Sequence, residues 1–216
     1  METYDEDVSP WQPILDFEQE LATYTGAPYA VTTDRCTHAI EIALRLRTKT
    51  YDSSKCVVLT EPIKFTAFTY VSVVMVMHKL NIAYKLTDEQ WRGKYQFHNT
   101  NIWDCARLLE RGMYEAGQTQ CLSFGRTKPL TLGFGGAILT DDKELYERAS
   151  RMRYDGRDLF SHKKWSDQTE WEPGFHYYMT PEQCQTAGFF LDNEIFTVQE
   201  EHHYNYPDCR ELNIKH

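Results

Sequence analysis

Among its six cysteines, at positions 36, 56, 105, 121, 184 and 209, no two stand in a C-x-x-C pair. Such scatter in a chain of 216 residues reads as reduced, mostly buried thiols. His202, His203, Cys209 and His216 crowd the last stretch, yet their spacing matches no zinc pattern and no metal site is expected. Basic residues are in deficit, 23 Lys and Arg against 32 Asp and Glu, for a formal charge of -9. That balance argues against nucleic acid as the main partner, because backbone binding needs clustered cations. No apolar run approaches a membrane span; residues 71–77 make only a strand or a short buried helix. The opening METYDEDVSP is acidic and lacks the basic and apolar parts of a signal peptide, so a soluble, cytoplasmic protein is expected. Internal repeats and low-complexity segments are absent too.

What is abundant is aromatic: 14 Tyr, 11 Phe and 5 Trp supply burial with polar tips that need partners. The length suits one domain, so residues 1–216 are expected as a single unit with a polar tail from about residue 190. Residues 11–24 predict an amphipathic helix, with Ile14, Phe17, Leu21 and Tyr24 at three- and four-residue spacing and Gly26 as its stop. A β-like run at 29–32 and a helix at 37–46 follow, and the turn TTDRCT between them opens the helix. A helix start offers unpaired N–H groups to an anion, although a plain N-cap needs no ligand. Residues 56–59 read as a strand, 64–77 as a largely buried helix, and 82–86 as a short strand before a turn at Gly93. Ile102 and Trp103 then lead to Asp104, an acid at a strand end. Open α/β sheets gather ligands there, while an exposed aspartate capping the next helix is the other account.

The stretch CLSFGRTKPLTLGFGGAILTDD, residues 121–142, organises the rest. Gly133, Gly135 and Gly136 allow close backbone approach around a lone Lys128. An amine held among apolar neighbours loses part of the support of its charged form and becomes a usable nucleophile. From these residues alone, a surface turn with a solvated lysine is the alternative. A charged amphipathic helix is predicted over 141–153, and a polar, tryptophan-bearing loop over 161–173.

The Ser-Phe-x-x-x-Lys run from Ser123 to Lys128, with Gly-x-Gly-Gly behind it, resembles the cofactor-lysine loop of the DegT/DnrJ aminotransferases. These are fold-type I enzymes that use pyridoxal 5'-phosphate (PLP). The resemblance extends in order along the chain. "FEQELATYTGAPYAVTTDRCTHAIEIAL" is similar to the family's opening helix and its Ser-Gly-Thr-x-Ala-Leu phosphate turn, with Arg35 and Cys36 in place of a small polar residue and glycine. Residues 64–77 resemble the helix whose aromatic stacks on the cofactor ring, which by register would be Phe65. Asp104 takes the place of the acid in Glu-Asp-x-Ala-His/Gln, with Arg107 at its end. "GFHYYMTPEQCQTAG" is similar to the segment that reaches a neighbouring subunit's phosphate, with His176 for asparagine and Tyr178 for arginine. Between Asn81 and Asn101 the chain is shorter than the family by a βα unit.

The resemblance implies an abridged large domain: a three-layer α/β/α fold with a mostly parallel sheet. It implies an aminotransferase acting on a keto-sugar, nucleotide-linked, with an amino donor as co-substrate. Lys128 would hold PLP as an aldimine and Asp104 would support its pyridine nitrogen. Thr37, His38, Phe65, Arg107, Ser123 and His176 would complete the cofactor site, and a homodimer is expected. Two other readings stay open: a non-catalytic descendant kept for binding or assembly, and a PLP enzyme acting on a modified nucleotide.

Overall fold

The computed structural model describes residues 9–47, 61–197 and 206–214. The strand expected at 56–59 and the histidines at 202, 203 and 216 lie outside them. Helix α1 (Gln12–Thr25) buries Ile14, Phe17 and Leu21, and ends where Gly26, at φ 79°, turns its N–H back to the Ala22 carbonyl. Strand β1 (Tyr29–Thr33) and helix α2 (Cys36–Arg47) follow as expected. Then come β2 (Ile63–Thr66), α3 (Val71–Lys79), β3 (Tyr84–Thr87), the two-residue β4 (Tyr95–Gln96) and β5 (Ile102–Asp104). Strands β6 (Thr119–Ser123) and β7 (Gly136–Thr140) flank the lysine loop, and helices α4 (Lys143–Met152) and α5 (Pro181–Asp192) complete the order.

Five strands form one sheet in the order β1-β7-β6-β5-β4, and β2 pairs with β3 apart from it. The sheet is mixed, not mostly parallel: β7 runs antiparallel to β1 and β6, β4 antiparallel to β5, and only β5–β6 is parallel. Loop length accounts for this. A parallel return needs a crossover, usually a helix, and the β6–β7 connection at 124–135 contains none. Side chains alternate across the sheet, so Val31, Cys121 and Ile138 enter one core with α2, α3 and α4. Ala30, Leu122, Ala137 and Leu139 enter the other with α1 and α5. Three layers result, as expected.

Two further expectations are corrected. The helix expected at 64–77 is strand β2, a bend, and then α3 from Val71. Ile63 and Phe65 point inward with Lys64 exposed between them, the period of a strand. The polar tail is not polar throughout: Cys209 is 5% exposed within the first core, and its N–H donates to the Ala67 carbonyl at 3.0 Å. Residues 206–214 therefore lie against the β2–β3 side of the molecule, with Ile214 packed on the same core.

Candidate active site

The two glycines closing the lysine loop dock it onto the start of α2. Gly135 donates to the Asp34 carbonyl at 2.9 Å and accepts from the Phe124 N–H at 3.0 Å. Its φ of 118° is one that L side chains rarely adopt, and a Cβ there would meet Phe124 and the Met179 sulfur at 3.0 and 3.1 Å. At Gly136 a Cβ would stand 2.5 Å from the Cys36 nitrogen. The lysine loop and the first turn of α2 are thus brought edge to edge by backbone contact, which only glycine permits.

Between them lies a cleft of about 410 Å³. Arg35, Cys36 and Thr37 line it from α2 and the turn before it, Ser123, Arg126 and Lys128 from the lysine loop, and Asp104 and Arg107 from the end of β5. Tyr70 and Ser72 enter from the start of α3, and Tyr206 from the chain's far end. Four cationic side chains thus share a cleft with one carboxylate, Asp104, in an acidic chain. The leading N–H groups of α2 have no intrahelical acceptors. Thr37 Oγ1 and Ser72 Oγ meet at 2.7 Å, so two hydroxyls stand beside that helix start.

Asp104 is 5% exposed, and burial raises its pKa. The Lys128 ammonium, the Ala106 N–H and the Tyr95 hydroxyl pull in the other direction. Cys36 needs no positive φ, because it begins α2, and its thiol turns inward to the Cys121 carbonyl at 3.8 Å. Burial pushes that thiol's pKa well up, aided by the Asp104 charge, so it stays neutral. Arg107 reaches across to the Thr127 carbonyl at 2.6 Å, bracing the loop from the β5 side. At the rim, the Arg35 guanidinium lies 4.0 Å over the Phe134 ring.

Of the residues singled out from sequence, the cleft gathers Thr37, Asp104, Arg107, Ser123 and Lys128. Phe65 is not among them. It is fully buried on β2 against Phe97 and Tyr84, at 5.3 and 5.7 Å between ring centroids, because the segment is a strand. The cleft's aromatics are Phe134, Tyr206 and, 61% exposed just ahead of α3, Tyr70. An aromatic one position before an apolar helix was the signal for it. His38 also faces elsewhere: its Nδ1 pairs with Asp34 at 2.5 Å and its ring stacks on Tyr177 at 3.6 Å. His176 sits outside the cleft, paired with Asp155 at 3.1 Å and exposed.

A family model for the DegT/DnrJ/EryC1/StrS aminotransferases matches residues 9–88 and 105–188. The chain belongs to that family. Residues 89–104, which hold β4 and β5, fall between the two matched parts. An uncharacterised protein of Methanocaldococcus jannaschii is 24% identical over 213 residues, a match that takes in 79% of this chain and 54% of that protein. Among solved structures, AtS13 of Actinomadura melliaura is similar at 20% identity with a TM-score of 0.66, over 84% of this chain and 60% of that one. PseC of Helicobacter pylori, an aminotransferase involved in the biosynthesis of pseudoaminic acid, is 15% identical at a TM-score of 0.57, over 84% and 57%. The chain therefore spans a little over half the length of these relatives, and the structural likeness is one of fold.

Proposed function

We propose that the cleft binds PLP and that the chain is a cytoplasmic aminotransferase acting on a keto-sugar, nucleotide-linked, with an amino donor. One observation carries this: a buried carboxylate and a lysine line the same cation-rich cleft beside a helix start. The donor set fits the cofactor. The first turn of α2 with Thr37, and Ser123, would hold its phosphate. Asp104 would hold a proton at its ring nitrogen, Tyr70 would lie against its ring, and Lys128 would be its covalent anchor. When bound, PLP supplies the electron sink for making and breaking bonds at the amino carbon. Lys128 would also be the base that moves a proton at that carbon, given that it lies within reach. Arg35, Arg107 and Arg126 add the positive field that an anionic substrate needs.

Borohydride reduction with PLP, followed by peptide mapping, is expected to label Lys128. A label on Lys64, or none, rejects the reading.

The same proposal includes a two-fold dimer. Trp165, Trp171 and Phe189 are 63%, 49% and 60% exposed, large apolar side chains that a second copy would cover. His176, outside its own cleft, would reach the partner's phosphate. Light scattering should report a dimer at micromolar concentration, and a mixed dimer of His176→Ala with Lys128→Ala subunits should keep one intact site. A monomer with PLP still bound removes the shared site.

A further inference from the structure

Asp104 has a partner to which the cofactor reading gives no role. Tyr95, on the two-residue β4, is 1% exposed, and its hydroxyl donates to Asp104 Oδ2 at 2.8 Å. A phenol carries one proton, so with that proton on Asp104 the 2.6 Å contact to Thr69 Oγ1 is one in which Thr69 donates. The other carboxylate oxygen, Oδ1, accepts from the Ala106 N–H at 2.8 Å. Both oxygens are thereby fixed, and the carboxylate plane cannot turn without breaking a buried hydrogen bond. Tyr95 is itself clamped, by Trp91 at 5.0 Å and Phe97 at 5.6 Å. Tyr95 and Asp104 both come from residues 89–104, the stretch between the two family-matched parts. Arg107, nearby, is directed to the Thr127 carbonyl instead.

We infer that Tyr95 is a positioning residue: the relay Thr69–Tyr95–Asp104 sets the direction of the carboxylate and keeps it charged for the ring nitrogen of a cofactor in the cleft. This rests on the PLP reading for its purpose, though not for its geometry. The groups facing Asp104 are Lys128 from the loop, Cys36 from α2, Cys105 beside it and Cys121 from β6. Burial holds all three thiols neutral, so Tyr95, Lys128 and the Ala106 N–H are what sustain the charge against desolvation. Removing the hydroxyl takes away one stabiliser of the anion. The carboxyl must then titrate at higher pH, and binding that needs the anion must fail earlier as pH falls.

The test uses Tyr95→Phe, which keeps the ring and its packing. Carbon-13 NMR of the PLP-free protein, with the Asp104 signal assigned by its loss in Asp104→Asn, should show the titration midpoint moving up by about one pH unit, as for one lost hydrogen bond to a charged group. With PLP, affinity should fall roughly tenfold or more near neutral pH, and the acid limb of binding should move the same way. A purely structural tyrosine would lower the melting temperature and leave both titrations in place, which overturns the inference. If wild type fails to load PLP, the cofactor reading fails, and the carboxyl titration still decides the role of Tyr95. Should Tyr95→Phe not fold, Thr69→Val replaces it: a smaller shift in the same direction supports the relay, and an unmoved midpoint rejects it.

Discussion

The two sides of the sheet are built to different standards. On one, β1 and β7 pair over five residues and β7 and β6 over four, with a glycine pair locking the lysine loop to α2. On the other, β4 pairs with β5 over two residues, and β2–β3 stands apart from the sheet. The cleft lies on the seam: Thr37, Ser123 and Lys128 come from the well-paired side and Asp104 from the sparse one. The contrast shows that a sparsely paired sheet edge can still line a cleft where side chains take over from strand pairing. On the paired side backbone hydrogen bonds do the positioning, and on the sparse side Tyr95 and Thr69 do it.

Breaking each side separately sharpens that contrast. The largest effect is expected from Lys128→Ala, which should abolish borohydride-fixed PLP entirely while far-UV circular dichroism stays unchanged. Asp104→Asn, on the sparse side, should keep the fold and lower transamination by orders of magnitude, because a neutral amide cannot hold the ring proton; unchanged turnover would take Asp104 out of the mechanism. Gly136→Ala strikes the paired side, where the new Cβ meets backbone and not a movable side chain. It should cost about 3 kcal/mol in denaturant titrations, the upper end for overpacking, and weaken PLP binding with it. The smallest pair of effects separates two aromatics. Phe65→Leu should cost about 1 kcal/mol of stability with little change in PLP affinity, whereas Tyr70→Ala should leave stability near wild type and weaken PLP by about 1 kcal/mol. Reversed results would return Phe65 to the cleft.

Much of the paired side was legible in the sequence. Helix α1 announces itself by its apolar spacing and Gly26, and the Ser123–Lys128 loop by its glycines. Asp104 could be read as a strand-end acid from its place after Ile102 and Trp103, and β5 does end on it. The sparse side was harder for a physical reason: residues 64–77 are so uniformly β-branched and aromatic that strand and buried helix give the same signal, and Phe65 was misplaced with them. Tyr95 carries no local pattern at all, since β4 is two residues long and its partners, Asp104 and Thr69, are fixed only by the tertiary fold. His38 could not be told from its neighbour Thr37, because which side of the first helical turn meets the cleft depends on how α2 docks on β7.

Tyr206 lines the cleft, stacks on Trp91 with ring centroids 6.1 Å apart, and stands three residues before Cys209. Whatever occupies the cleft against Tyr206 is therefore in equilibrium with the seating of residues 206–214, and by reciprocity each strengthens the other. The Cys209 amide, bonded to Ala67, becomes a reporter at a distance: its hydrogen exchange should slow as the cleft fills, reading occupancy from a part of the chain that takes no share in the chemistry.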